Sequence, residues 1–387
     1  MQEEKRLVPQ LRFSEFEGEW EKKTLFDISK QVAYGMNAAA KSYDGENKYL
    51  RITDIDESTR RFIPNPLSSP KGKIEKKYIL KKGDIVFTRT GASVGKSYLY
   101  DEKDGKLLYA GFLIKFNIIN SNPYFVFLQT FRESYRKWVQ VYSMRSGQPG
   151  LNAEEYKSLI INIPQSKEQQ KIANFLTAID NRIQTLEKKK SGLEQYKKGV
   201  MQKIFKQELR FKDEYGKAFP EWEEKKLGEV CSKKSSNISA NKIGENFGEY
   251  IIYGASGVLK KVDFYKEEND YVSIIKDGAG VGRIVYCKGK SSVLGTMEII
   301  KPNSKLNTYF LYCLLENVNF KKYITGSTIP HIYFKDYKKE KCNIPPFEEQ
   351  TRIANFLSAI DKNIELVTKK IEHTKTYKKG LLQQMFV

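Results

Sequence analysis

A segment of 44 residues occurs twice in this chain. Asn162 to Phe205 (NIPQSKEQQKIANFLTAIDNRIQTLEKKKSGLEQYKKGVMQKIF) aligns without a gap to Asn343 to Phe386 (NIPPFEEQTRIANFLSAIDKNIELVTKKIEHTKTYKKGLLQQMF), at an offset of 181 positions with 22 identities. A long internal repeat constrains architecture more than composition does, because each copy must adopt the same local structure. Weaker echoes precede each copy. Arg89-Thr-Gly-Ala-Ser-Val-Gly-Lys96 matches Lys276-Asp-Gly-Ala-Gly-Val-Gly-Arg283, Asn122-Pro-Tyr-Phe125 matches Asn307-Thr-Tyr-Phe310, and Trp20 to Leu25 resembles Trp222 to Leu227. The offsets drift from 185 to 202, so insertions and deletions separate the copies. The chain is a tandem duplication whose halves share a frame and diverge between frame elements.

Each repeat reads as a long helix. Ile172, Leu176, Ile179, Ile183, Leu186, Leu193, Val200 and Ile204 follow steps of three and four with Lys190 and Lys197 as exceptions, and so do Ile353, Leu357, Ile360, Ile364, Val367, Ile371, Leu381 and Met385, interrupted by Thr374 and Lys378. A stripe sustained over about five heptads indicates coiled-coil packing. Proline stands only before the starts, at Pro164 and at Pro345-Pro346, where it does not interrupt the hydrogen-bond ladder. A helix of about 40 residues is about 60 Å long, comparable to nearly two turns of B-DNA at about 34 Å each. Two such helices are expected to pack antiparallel with a globular domain at each end. Gly192 and Gly199 lower helix propensity, so a bend or a tight packing contact is expected near them, and the repetition of Gly199 by Gly380 favours packing. Leu209-Arg-Phe211 follows the first long repeat and resembles Leu11-Arg-Phe13. The first residues of the chain are therefore expected to supply the continuation of the second repeat, closing the molecule on itself.

The intervening segments carry short aromatic and β-branched runs broken by turn residues: Asp84 to Thr88, Leu108 to Phe116, Tyr250 to Tyr253, Tyr271 to Ile275 and Gly282 to Tyr286. These are expected strands, and Asn122 and Asn307 are expected helix caps. The fold class is α+β: two globular mixed α/β domains, residues 1–161 and 208–342, separated by two long antiparallel helices, residues 162–207 and 343–387.

Sixty-seven Lys and Arg against 47 Asp and Glu give a formal net charge of +20. That excess favours a polyanionic partner; a ribosome or a membrane surface would suit it as well as DNA. The start, MQEEKRLVPQ, has no apolar signal-like run, and no stretch approaches the roughly 20 apolar residues of a membrane span, so a cytoplasmic location is expected. Cys231, Cys287, Cys313 and Cys342 are widely spaced, which suggests neither a zinc knuckle nor a disulfide framework.

Catalytic readings find little support. Gly91-Ala-Ser-Val-Gly95-Lys-Ser97 has three residues between its glycines where a phosphate-wrapping P-loop needs four, and the second copy continues Arg283-Ile284 without a hydroxyl. Ser121-Asn-Pro-Tyr124 falls short of the Asn-Pro-Pro-Tyr loop with which adenine methyltransferases hold a flipped base, and a helix start explains it better. His331 and His373 are the only histidines, too few for a histidine-rich metal site. The chain is read as non-catalytic.

For nucleic acid, the candidate contacts are polar residues in poorly matched loops and beside the glycine turns. They are Arg51, Arg60, Arg61, Lys71, Arg89, Lys96, Arg145 and Gln148 in the first half, and Tyr253, Lys260, Lys261, Lys276, Arg283, Ser327, Thr328 and His331 in the second. Arginine and glutamine can pair with guanine and adenine edges, while lysine more often holds phosphate. The repeats also preserve residues outside the apolar stripe: Glu168, Gln169, Tyr196, Lys197 and Lys198, matched by Glu349, Gln350, Tyr377, Lys378 and Lys379. Packing of the helices on each other needs only the stripe, so these are candidate exposed residues for docking two copies of a partner subunit.

The duplicated I-P-x-x-x-E-Q-x-x-I-A-x-F-L-x-x-I-D run, Ile163 to Asp180 and Ile344 to Asp361, each opening a helix that carries Tyr-Lys-Lys-Gly, resembles the specificity subunit of type I restriction-modification enzymes. The Gly-Ala-x-Val-Gly turns at Gly91 to Gly95 and Gly278 to Gly282 fit the same family, and the resemblance spans essentially the whole chain. It implies two target-recognition domains, each reading half of a split DNA sequence, with two modification (methyltransferase) subunits and two restriction (endonuclease/translocase) subunits as partners. It further implies S-adenosylmethionine, ATP and Mg2+ as cofactors of those partners and none in this chain. The competing reading is a coiled-coil scaffold or adaptor without sequence-specific DNA binding.

Overall fold

A computed structural model describes residues 6–387. The chain forms two compact units, one of residues up to 185 together with 370–387, the other of residues 186–369. The long helices are Ser166–Phe205 and Phe347–Gln384, and each gives its first half to one unit and its second half to the other.

In the first unit an antiparallel four-stranded sheet runs in the order Ser29–Tyr34, Leu113–Ile118, Asp84–Thr88, Ser97–Leu99. The run Asp84–Thr88 is buried along its whole length, as expected of a central strand covered on both faces. The helix Pro123–Gln129 packs on this sheet, with the Asn122 side chain accepting from Phe125 N at 3.0 Å and proline in its first turn, the arrangement that satisfies free N-terminal amides. A helix Glu133–Tyr142, a short helix Ala153–Lys157 and the strand Ile160–Ile163, paired with Glu21–Thr24, lead into the first long helix.

The second unit repeats the plan. Its four-stranded sheet has the order Cys231–Ser235, Met297–Pro302, Tyr271–Ile275, Ile284–Cys287. The helix Thr308–Glu316 is capped by Asn307, and strand Lys341–Ile344 pairs with Glu223–Lys226 before the second long helix. The units diverge in their accessory strands. The first has two small pairs, Ala40–Ser42 with Ser68–Pro70 and Lys48–Leu50 with Leu107–Tyr109; the second has a three-stranded sheet of Gly257–Val262, Tyr250–Gly254 and Ser291–Val293.

Within each unit the start of one long helix lies antiparallel to the end of the other. In the first unit Ile172, Leu176, Ile179 and Ile183 share a core with Leu381, Leu382, Met385 and Phe386; in the second Ile204 packs with Ile353, Leu357 and Ile360. The same polar contact is made twice: Lys378 reaches Asp180 and Lys197 reaches Asp361, each at 2.6 Å, while Tyr124 and Tyr309 donate their hydroxyls to those two carboxylates. The start of the chain behaves as the repeat implies. Leu11 N donates to Gln384 O at 2.9 Å, and Trp20 lies edge-on to Phe386 as Trp222 does to Phe205.

Two expectations are corrected. Leu108 to Phe116 is not one strand but the strands Leu107–Tyr109 and Leu113–Ile118, separated by a turn that Leu113 N closes on Ala110 O at 2.9 Å. A Cβ added at Gly192, Gly199 or Gly380 would meet nothing within 4 Å, so close packing explains none of the three.

Candidate nucleic-acid interface

In the first unit strands Asp84–Thr88 and Ser97–Leu99 are joined by the glycine turn Gly91 to Gly95. The turn is folded onto its own strand ends: Lys96 N donates to Thr88 Oγ1 at 3.0 Å, and Tyr135 OH donates to Gly95 O at 2.7 Å. Gly95 has φ +83°, and a Cβ there would lie 2.6 Å from Val139. Gly282 has φ +82°, and a Cβ there would lie 2.9 Å from Phe320. Both glycines are required by left-handed backbone and by close approach of the next element. The turn joins two paired antiparallel strands.

A second loop is clamped onto each turn by the same backbone bonds. In the first unit Gly91 N donates to Pro149 O at 2.9 Å and Leu151 N to Arg89 O at 2.8 Å, while Gly150 N closes the loop on Ser143 O at 3.0 Å. In the second, Gly278 N donates to Pro330 O at 2.9 Å and Ile332 N to Lys276 O at 3.0 Å, while Thr325 and His331 exchange bonds of 2.9 and 2.8 Å. Pro149 and Pro330 are 181 positions apart, the offset of the long helices, and this pairing was available in the sequence but obscured by dissimilar neighbours.

These corners gather about half of the candidate DNA contacts. In the first unit Arg145 is exposed and paired with Glu155, and Gln148 is exposed with its amide against Gly91. Arg89 lies 4.9 Å over the Tyr34 ring, whose hydroxyl accepts from Ala153 N at 3.1 Å; the buried Arg89 Nε has no hydrogen-bond partner among the described residues. In the second unit Lys276, Ser327, Thr328 and His331 belong to the turn or its clamped loop. Arg283 is exposed, and its Nη1 donates to Ala255 O at 3.1 Å, tying in the neighbouring Tyr253-to-Gly257 turn.

Other candidates are held elsewhere. Arg51 makes a two-pronged contact with Asp54, at 2.7 and 2.9 Å. Arg60 sits at φ 58° and burial pushes its guanidinium below the usual arginine range. Arg61 is half-buried; Lys71 and Lys261 are exposed. Lys260 donates to Ile243 O and Gly244 O and covers the Phe247 ring. Two candidates are corrected because they face inward. Lys96 is buried, donating to Ile55 O at 3.1 Å and pairing with Glu57 at 2.7 Å, and Tyr253 is buried with its hydroxyl accepting from Lys288 N. Conversely, Ser146 is exposed within the candidate run Arg145 to Gln148, and Tyr34, Phe112 and Ile329 stand exposed at the corners or on segments bonded to them. Nothing in residue type alone marked them, since exposed apolar residues are common.

The docking candidates divide in the same way. Glu168, Gln169, Glu349 and Gln350 were read as exposed and are all buried. Glu168 takes two bonds of 2.8 Å from Arg12, and Glu349 takes bonds of 3.1 and 2.9 Å from Arg210. Gln169 and Gln350 accept from Asn122 N and Asn307 N and donate to Pro164 O and Pro345 O. Their repetition records a structural joint, because a buried polar group needs all of its partners in each copy. Lys197 and Lys378 are mostly buried and paired with Asp361 and Asp180. Tyr196, Lys198, Tyr377 and Lys379 remain exposed.

His331 Nδ1 lies 3.1 Å from Ile329 O within its own loop, and His373 is exposed on the second long helix. Among the described residues no helix is long and apolar enough to cross a membrane.

The family model described as "Type I restriction modification DNA specificity domain" matches residues 17–195 and again 220–375. The type I restriction enzyme MjaIX specificity subunit of Methanocaldococcus jannaschii is 25% identical over 368 residues, covering 85% of this chain and 83% of that protein. The MjaVIII specificity subunit of the same organism is 29% identical over 203 residues, 48% of this chain and 47% of that one. Among solved structures, the S subunit of a type I restriction-modification system from M. genitalium superposes with a TM-score of 0.66 at 18% identity, covering 98% of this chain and 99% of that chain.

Proposed function

Since the chain belongs to the type I restriction-modification DNA specificity family, we propose that its two globular segments, residues 1–161 and 208–342, each read one half of a split DNA target. It is a DNA-binding, non-catalytic subunit. The target it selects directs adenine-N6 methylation by two modification subunits and ATP-dependent restriction by two restriction subunits. S-adenosylmethionine, ATP and Mg2+ belong to those partners, and the specificity subunit supplies the choice of site.

One observation carries this reading. The same corner is built twice on the same backbone clamp, yet the equivalent presented residues differ: Arg145 against Gly326, and Gln148 against Ile329. Glutamine can make paired hydrogen bonds to an adenine edge, whereas isoleucine can only pack, as on a thymine methyl group. Two readers with one frame and different contacts suit two unlike half-sites. The net charge of +20 suits a phosphate backbone. The exposed, repeated Tyr196, Lys198, Tyr377 and Lys379 are the docking residues left for the two modification subunits.

The test is genome-wide mapping of methylated adenines in cells carrying the intact gene, a deletion, or a replaced 208–342 segment. The expected result is a split motif that vanishes on deletion and changes in one half on replacement. Unchanged methylation with active modification subunits present would leave the long helices as a scaffold and refute the two-reader reading.

A further inference from the structure

The two corners repeat more than their backbone. Ser146 and Ser327 are equivalent through the 181-residue offset, both exposed, on loops closed by Gly150–Ser143 and by Thr325–His331. Arg89 and Lys276 are equivalent as the residues whose carbonyls accept from Leu151 and Ile332. Each corner therefore joins, through backbone bonds, a turn that begins with a cation to a loop that is closed on itself and exposes a serine hydroxyl.

A group present in both readers cannot distinguish two different half-sites. What both half-sites have in common is the sugar-phosphate backbone, and it is contacted by cations, hydroxyls and main-chain amides. On this ground, and resting on the DNA-reading function above, we propose that Arg89 with Ser146, and Lys276 with Ser327, form two equivalent phosphate-holding sites that set the position of each reader on duplex DNA without reading sequence.

The surroundings fit that role. Arg89 is fixed from below by Tyr34, which is itself tied to Ala153 N, so little side-chain freedom is left to lose on binding. Lys276 is shared only loosely with Asp277, at 3.9 Å, and the exposed Arg283 closes the same turn. Beside each serine the matched positions Gln148 and Ile329 differ and are both exposed, whereas Gly326, opposite Arg145, is held to glycine by φ +89° and by Ile329 O, 2.4 Å from where a Cβ would lie.

The test uses the complex of this chain with its modification subunits, titrated by fluorescence anisotropy against a duplex with the methylated motif and a scrambled duplex, from low to high salt. Arg89→Gln and Lys276→Gln are each expected to weaken binding about tenfold and equally on both duplexes. The slope of log affinity against log salt should become shallower by about one, with the methylated motif unchanged. Ser146→Ala and Ser327→Ala should weaken both duplexes equally and leave the slope as it was, while Arg89→Lys should restore the slope. A motif altered in one half, or affinity and slope both unaffected by the glutamine variants, would overturn the phosphate assignment. Should Arg89→Gln unfold, Lys276→Gln in the other unit decides the matter. Failure of the unsubstituted complex to prefer any sequence would instead refute the reading on which the assignment rests.

Discussion

Lys378 Nζ lies 2.6 Å from Asp180 Oδ1, and Lys197 Nζ lies 2.6 Å from Asp361 Oδ1. Tyr124 and Tyr309 donate to the same carboxylates, and the two ammonium groups sit over the rings of Phe131 and Tyr312. Each aspartate is therefore the acceptor at which a lysine from one long helix and a tyrosine from the neighbouring globular segment meet. Asp180→Ala leaves both donors without an acceptor and is expected to cost about 1–3 kcal/mol. Chemical denaturation of the single and double variants with Lys378→Met checks it: the double variant should lose less than the sum of the singles.

Glu168 and Glu349 are both fully buried, and each is neutralised by an arginine from the segment that packs beside it. Glu349 also accepts from Trp222 Nε1 at 3.0 Å, whereas the buried Trp20 Nε1 has no partner among the described residues. Removing the cation from a buried pair costs about 3–5 kcal/mol. Arg12→Ala is accordingly expected to destabilise more than Arg210→Ala, by about 1 kcal/mol for the retained indole bond. Hydrogen exchange at amides of residues 166–185 in one variant and 347–369 in the other measures the two losses separately; equal losses would contradict the account.

All four cysteines are buried in the second unit. Burial pushes the thiols of Cys231, Cys287 and Cys313 up to about 12 and that of Cys342 up to about 11. Their unfolded counterparts ionise near about 8.5. A raised value in the folded state means that the contribution to stability is whole below about pH 8.5 and is lost as pH rises toward 11 to 12. Labelling with a thiol reagent at pH 8 should proceed only as fast as the second unit opens, and all four sites should react together. Prompt labelling of one thiol in the folded protein would disprove its burial.

Gly95→Ala and Gly282→Ala test the corners. Each places a Cβ on backbone with φ near +80° and against Val139 or Phe320. The left-handed conformation alone costs about 1–2 kcal/mol, and the contacts add to it. DNA affinity of the assembled complex is expected to fall in both variants. Gly192→Ala, where a Cβ meets open space, should instead stabilise by up to about 1 kcal/mol, read as a rise in thermal unfolding temperature.

The long helices were legible because their evidence is local and repeated: the apolar stripe, the prolines before it and the duplicate copy all agree. The helix caps Asn122 and Asn307 were legible for the same reason. Tyr253 and Lys96 were misjudged because tyrosine and lysine appear in cores and on surfaces alike, and only the neighbours decide. Ser146 lies within the candidate run Arg145 to Gln148, but its equivalence to Ser327 shows only once Pro149 is seen to occupy the place of Pro330.

The sequence by itself determined that there are two copies of one design, that each contains a long striped helix, and that the segments between frame elements have diverged. Those features rest on periodicity and self-similarity, which are properties of the string. Tertiary structure decided which preserved residues are joints and which are surface. Glu168 is buried because Arg12, 156 positions earlier, reaches it, and Lys378 is occupied because Asp180, 198 positions away, faces it. The desolvation of a charge depends on partners brought from far along the chain, so its role as joint or contact was settled only when the chain had folded.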